Sequence, residues 1–263
     1  MKTYIKFISK SFQRSLAYRL EYYVGLANAF LYIFIFTSVW KTVAKESPEQ
    51  LGSWESESLV RYAILSTLLK VSFGKNDNLL SNKIKSGDIV YDFLKPYNIV
   101  FMYFADSIGV SLFQALARAL PLFVFSIFFF NISLNLNFST FLQFIPIYLF
   151  AFSTFLLIGF AISSLSFYFT EIFSFQILYY AMITLFSGAI IPLNLFPASI
   201  HKLVDYTPFP YLYYYPGLWL VRAGQGLNYY SLISKYLYIL FFLSIISYFL
   251  YTYGKKKMEI AGG

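Results

Sequence analysis

Runs of about twenty apolar residues recur along this chain, at roughly 22–43, 58–74, 100–130, 140–168, 172–193 and 231–253. In the interior of a bilayer a backbone N–H or C=O finds no water, so such a chain crosses only as helices or as a closed barrel. The runs are continuous and lack the apolar–polar alternation of barrel strands, so each is expected to be a helix even where Phe, Ile and Tyr raise strand propensity. The third and fourth exceed what a bilayer needs and are expected to tilt or project beyond it. With 59% hydrophobic, 23% aromatic and 12% charged residues, a soluble domain of 263 residues has nowhere to hide the apolar surface. The reading is an all-α polytopic membrane protein with six transmembrane helices, in a single domain over residues 1–263.

The residue inventory removes several function classes. There is no cysteine, which excludes disulfides, zinc–thiolate sites and thiol catalysis. His201 stands alone, so it reads as a polar residue at a water interface, and no metal site is expected. No G-x-x-x-x-G-K-[S/T] loop occurs: Gly74-Lys75 and Gly254-Lys255 lack both the upstream glycine and the following Ser or Thr. Energy must therefore come from a partner or from a gradient. No Ser-His-Asp constellation or pair of inward carboxylates points to chemistry on a substrate. Asn131 and Asn137 begin glycosylation-like triplets, a pattern that chance supplies often.

Charge sets the expected orientation. With six spans, thirteen of the 20 Lys and Arg fall on the side of the termini, in residues 2–19, 70–95 and 255–257, and six on the other. By the positive-inside rule both termini are cytoplasmic, and the net charge of +8 is topological information rather than a nucleic-acid signal. The remaining cation, Arg118, stands near the middle of the third run. An arginine there must face protein or a water-filled path, so Arg118, with Asp106 nearer the inner end, is a candidate for the translocation path or gate; a structural contact to a neighbouring helix is the alternative. Ser107, Ser111, Ala115 and Ala119 recur every fourth residue and predict a small-residue packing face.

Three segments outside the runs carry their own patterns. In residues 1–21, Tyr4, Ile8, Phe12 and Leu16 form one stripe and Lys2, Lys6, Lys10 and Arg14 another, which predicts an interfacial helix on the inner leaflet; a plain basic flank of the first span is the alternative. Within 75–97, Asn76 or Asp77 is a plausible N-cap, Leu80 and Ile84 share a face, Lys83 and Lys85 point elsewhere, Gly87 can close the helix and Pro96 fits the first turn of the next. A short cytoplasmic amphipathic helix is expected there, against the alternative of a solvated loop. Residues 194–228 hold prolines 197, 208, 210 and 216, a density that lipid-exposed helix would not tolerate, so the segment lies at the outer interface or dips in under protein cover. Ile200, Leu203 and Val204 suggest a short amphipathic turn, and Tyr206, Tyr211, Tyr213, Tyr214 and Tyr215 an aromatic belt or a recognition platform.

Taken together, the basic N-terminal helix, "NKIKSGDIVYDFLKPYN", "SGAIIPLNLFP" followed by "TPFPYLYYYP", and the terminal "AGG" after a basic stretch resemble the six-span membrane subunits of bacterial ABC-2-type exporters. The resemblance implies an ATP-driven exporter in a bacterial cell membrane, with a second permease, identical or related, and two copies of an ABC ATPase that carries the ATP. It also implies that 76–86 is a coupling helix on the ATPase, with the N-terminal helix and the loop near Glu171 beside it, and that the proline-rich segment is re-entrant. Leu80 and Ile84 would then be anchors on the ATPase, with Lys83, Lys85 and Asp88 setting orientation. The aromatic spans suggest an amphiphilic substrate: a drug, lipid, peptide or lipid-linked glycan. The alternative function, a gradient-driven secondary transporter, calls for inverted repeats with matching helix breaks, which are not found.

Overall fold

The computed structural model describes residues 2–46, 49, 54–130 and 137–257; Asn131 and the terminal Ala-Gly-Gly lie outside them. The chain is all-α among the described residues. In order run α1 (Lys2–Ala17), α2 (Arg19–Glu46), α3 (Ser56–Ser72), α4 (Leu79–Lys85), α5 (Asp88–Leu94), α6 (Ile99–Phe113), a π-helical turn (Gln114–Ala119) and α7 (Leu120–Phe130). Then follow α8 (Phe138–Ser164), α9 (Phe173–Phe186), α10 (Ala198–Asp205), α11 (Pro210–Val221) and α12 (Tyr229–Lys257).

Four helical stretches among the described residues are long and apolar enough to cross a bilayer: Leu20–Glu46, Ile99–Phe130, Phe138–Phe167 and Tyr229–Lys257. The chain is thus a multi-pass membrane protein. The two other expected spans are shorter helices, 17 residues in α3 and 14 in α9. The run drawn at 172–193 does not continue as helix: α9 stops at Phe186, and Gly188, at φ 75°, turns the chain toward Pro192.

The core is built around α3. Leu59, Tyr62, Ile64, Leu65 and Leu69 on it are buried, as are Ser66, Thr67 and Ser72. Helices α2 and α11 and the π turn pack around it, with α7 at the edge. A helix buried on all faces needs no amphipathic stripe, and α3 has none. Its hydroxyls are satisfied locally: Thr67 Oγ1 donates to the Ala63 carbonyl at 2.7 Å and Ser72 Oγ to that of Leu69 at 2.7 Å.

The proline-rich segment gives the largest correction to the sequence reading. Tyr211, Tyr213, Tyr214 and Tyr215 are buried in the core against α3 and α8, and only Tyr206 is fully exposed. They are therefore a packing layer and not a lipid-facing belt. Tyr213 meets Phe73, just past the end of α3, at 5.6 Å between ring centroids. Trp219, further along α11, donates Nε1–H to the Thr140 carbonyl at the start of α8, 3.2 Å away. Helix α11 thus lies along α3 under protein cover, which is how Pro216 is tolerated inside it.

The small-residue face on the third run is shorter than its sequence period suggests. Ser107 and Ser111 are buried, but the π turn begins at Gln114 and breaks the four-residue repeat, leaving Ala115 and Ala119 half-exposed.

Candidate functional site

Helix α1 docks lengthwise on α6. Ring pairs join Tyr4 to Phe101, Phe7 to Tyr97 and Phe12 to Phe113, with centroids 5.8, 5.3 and 5.9 Å apart. Gly109 permits the approach, since a Cβ there would overlap the Ile8 carbonyl and the Ser11 side chain. The expected greasy stripe is therefore only partly free: Tyr4, Ile8 and Phe12 turn toward α6, while Ile5 and Leu16 stay exposed.

Asp106 is the fastening point. It is buried, accepts from Ser11 Oγ, from Arg14 Nη2 at 2.8 Å and from Asn76 Nδ2 at 2.9 Å. These bonds join α1, α6 and segment 73–78 at one carboxylate, which makes Asp106 a clamp between them. Asn76 also bonds Ser107 Oγ at 3.0 Å, and Gly74 N–H donates to Ser111 Oγ at 2.9 Å. On the other side Tyr180 OH donates to Asp77 at 2.7 Å and Gln176 to Asn78 at 2.6 Å. Segment 73–78 is thereby held between α6 and α9. Neither Asn76 nor Asp77 caps the following helix; both side chains are committed to these contacts, and α4 starts after Asn78.

Beyond it, α4 and α5 make a helical hairpin. Gly87, at φ 78°, ends α4 by donating its N–H to the Ile84 carbonyl at 3.1 Å and at once leads into α5. Leu80 and Ile89 are buried against Ile99, Met102, Tyr103 and Phe160 of the same chain, and Ile84 packs at the edge of that cluster. Leu80 is hence a strut of the hairpin and not an outward anchor. Asp92, also buried, is paired with Lys83, with Lys95 at 3.1 Å and with the Tyr97 hydroxyl at 2.6 Å. Burial alone would raise its carboxyl pKa, but those hydrogen bonds outweigh it and hold it below the ordinary value. Pro96 lies ahead of α6, which starts at Ile99 with Asn98 as N-cap accepting from Val100 N–H at 2.8 Å, so it is not in that helix's first turn. What the hairpin offers outward is its tip, Ser86–Asp88, and two large apolar side chains, Tyr91 at 65% and Leu94 at 79% exposure. Lys85 pairs with Glu171 at 2.8 Å, a surface contact worth about 0–1 kcal/mol.

The hairpin is thus braced from within and carries two apolar side chains on its free face. The model of the family described as "ABC-2 family transporter protein" matches residues 26–262. The chain belongs to the ABC-2 transporter family. No curated protein matches its sequence. ABC-2 membrane subunits are typically non-catalytic.

In this ABC-2 chain the residues singled out from sequence fall into two groups. Leu80, Lys83, Ile84, Lys85, Gly87, Asp88 and Glu171 come together on or beside the hairpin. Asp106 and Arg118 do not meet. Arg118 sits in the π turn level with the start of α2, where its Nη2 donates to the Glu21 carbonyl at 2.8 Å. It is therefore at a helix end of α2 rather than midway along it, and its guanidinium fills the space above Gly25. It lines a half-open cavity of about 670 Å³ among α1, α2, the end of α3 and the π turn.

Sequence reasoning missed Tyr91, Leu94 and Asp92. The signal available was Asp88 directly after a glycine, opening a stretch of seven residues before Lys95, enough for about two helical turns. It missed the cavity because Lys70, Lys75 and Arg118 come from two different parts of the chain.

Proposed function

We propose that this chain is the membrane-spanning subunit of an ATP-driven ABC-2 exporter that moves an amphiphilic substrate outward by alternating access. It would act with a second permease, identical or related, and with two ATPase subunits that bind the ATP. The observation that carries this reading is the α4–α5 hairpin, whose tip and exposed Tyr91 and Leu94 make a grip for a partner while Leu80, Ile89 and the Asp92 pairs tie it to the body. A push on the hairpin reaches α3 and α6 through segment 73–78 and the Asp106 clamp. Arg118 and its cavity stand on the path, and Asp106 couples to it as a hinge lock. Support for the partner also comes from the chain's lack of any phosphate-cradling loop.

The test is co-purification. The tagged permease should bring down an ABC ATPase, and inverted vesicles holding both should take up substrate only with ATP. A permease that transports in vesicles stripped of any ATPase, driven by a proton or sodium gradient, overturns the reading.

The proposed topology has six spans, with α3 and α9 as the short ones, both termini cytoplasmic and the bacterial cell membrane as location. In the cysteine-free background, single cysteines at Lys6, Lys85 and Lys257 should be shielded from an impermeant thiol reagent in intact cells. Cysteines at Glu55 and Asn135 should label; Asn135 lies outside the described residues. Labelling at position 85 from outside would sink this topology.

A further inference from the structure

The cavity beside Arg118 has a charge imbalance that the protein alone does not resolve. Its cations are Arg14, Lys70, Lys75 and Arg118, and the one acidic side chain in its lining is Glu21. Arg14 is taken by Asp106. Among the described residues, Lys70, Lys75 and Arg118 have no carboxylate within ion-pair distance. Lys70 lies over the Tyr32 ring at 4.8 Å and Lys75 over that of Tyr180 at 4.0 Å.

A second, independent observation points the same way. Arg118 Nε, Gln114 Oε1 and Tyr32 OH, all on cavity-lining residues, are buried without a hydrogen-bond partner. Buried polar atoms left in this state are costly, and three on the walls of one cavity whose lining carries four cations and one carboxylate suit an anion. The amide of Gln114 can present its NH₂ instead of its oxygen by a flip, adding a donor.

We propose that this cavity holds the phosphate group of an anionic amphiphile. A phosphate offers several acceptor oxygens to donors arriving from different directions, and the unpartnered Nε–H of Arg118 can supply one of those donors. The apolar part has a surface next to the site: Leu20 and Tyr23 on α2, and Leu116 and Leu120 flanking Arg118, are all exposed. The assignment rests on reading the cavity as part of the path, and it names the substrate class as phosphate-bearing.

Native mass spectrometry of the purified full-length permease in detergent, without ATPase, tests it. Phosphatidylglycerol should be retained at least about tenfold more tightly than zwitterionic phosphatidylcholine. Lys70→Gln with Lys75→Gln should abolish the preference, the double Lys→Arg change should keep it, and Glu21→Gln should sharpen it. Melting curves of each variant show whether it is folded. Displacement of phosphatidylglycerol by millimolar glycerol phosphate assigns the site to a free phosphate; retention assigns it to a lipid headgroup. Equal retention of the two lipids by the wild type, or a preference that survives in the folded Lys→Gln variant, overturns the proposal. Because no ATPase is present, such a failure leaves the exporter reading standing, whereas failure of the ATPase to co-purify strikes only that reading.

Discussion

Tyr91→Asp combined with Leu94→Asp should release the ATPase from the permease and stop ATP-driven transport, while the permease itself stays folded and inserted. Both side chains project from α5 into solvent, so replacing them removes nothing from the chain's own core. Each large apolar group buried against a partner is worth about 1.5–3 kcal/mol, so the pair corresponds to roughly a hundredfold or greater loss of association, before the cost of ordering the contact is subtracted. Leu203→Asp is the control, because Leu203 is 71% exposed on α10, away from the hairpin. Leu80→Asp makes the contrast: it buries a charge under the hairpin and should lower expression and melting temperature. Wild-type amounts of ATPase retained by the Tyr91/Leu94 variant would show that the hairpin is not the grip.

Gly109→Val should detach α1. The added side chain meets the Ile8 backbone carbonyl, which cannot yield without moving the whole helix. Overpacking of this kind costs about 1–3 kcal/mol, and undocking further strips Asp106 of Ser11 and Arg14, leaving a buried carboxylate with Asn76 alone. Amide hydrogen exchange over residues 2–17 should rise by at least about tenfold while that of α3 holds. Unchanged exchange in α1 would mean that the interhelical contact contributes little.

Some of this architecture is legible in the residues and some is not, for physical reasons. Gly87 could be read as a helix terminus because a left-handed residue is a local requirement, and the bilayer-length runs because lipid imposes the same demand on every segment that meets it. The fate of the tyrosines at 211–215 could not: a phenol at a headgroup and a phenol under α3 look alike in sequence, and only the path of the whole segment decides between them. Leu80 illustrates the same limit. An amphipathic helix announces that it has a greasy face, but not whether its own chain or a partner covers it, and here Phe160 and Met102 from other helices were first to arrive. The contact of Arg118 with the first turn of α2 was equally out of reach, because counting along one run ignores where the neighbouring helix starts.

Helix α3 changes what "hydrophobic" should mean for part of this family. Its solvent is other helices, so it can carry Ser66, Thr67 and Ser72 in full burial. Helix α12, by contrast, shows lipid-type residues such as Phe241, Phe249 and Tyr248 on its free face. Sequence drift in the two should obey different currencies: side-chain volume in α3, where one extra methylene has no room, and oil solubility in α12, where Phe, Leu and Ile can trade places. A hydropathy plot therefore ranks α3 low among the apolar helices even though α2, α11 and the π turn are assembled on it.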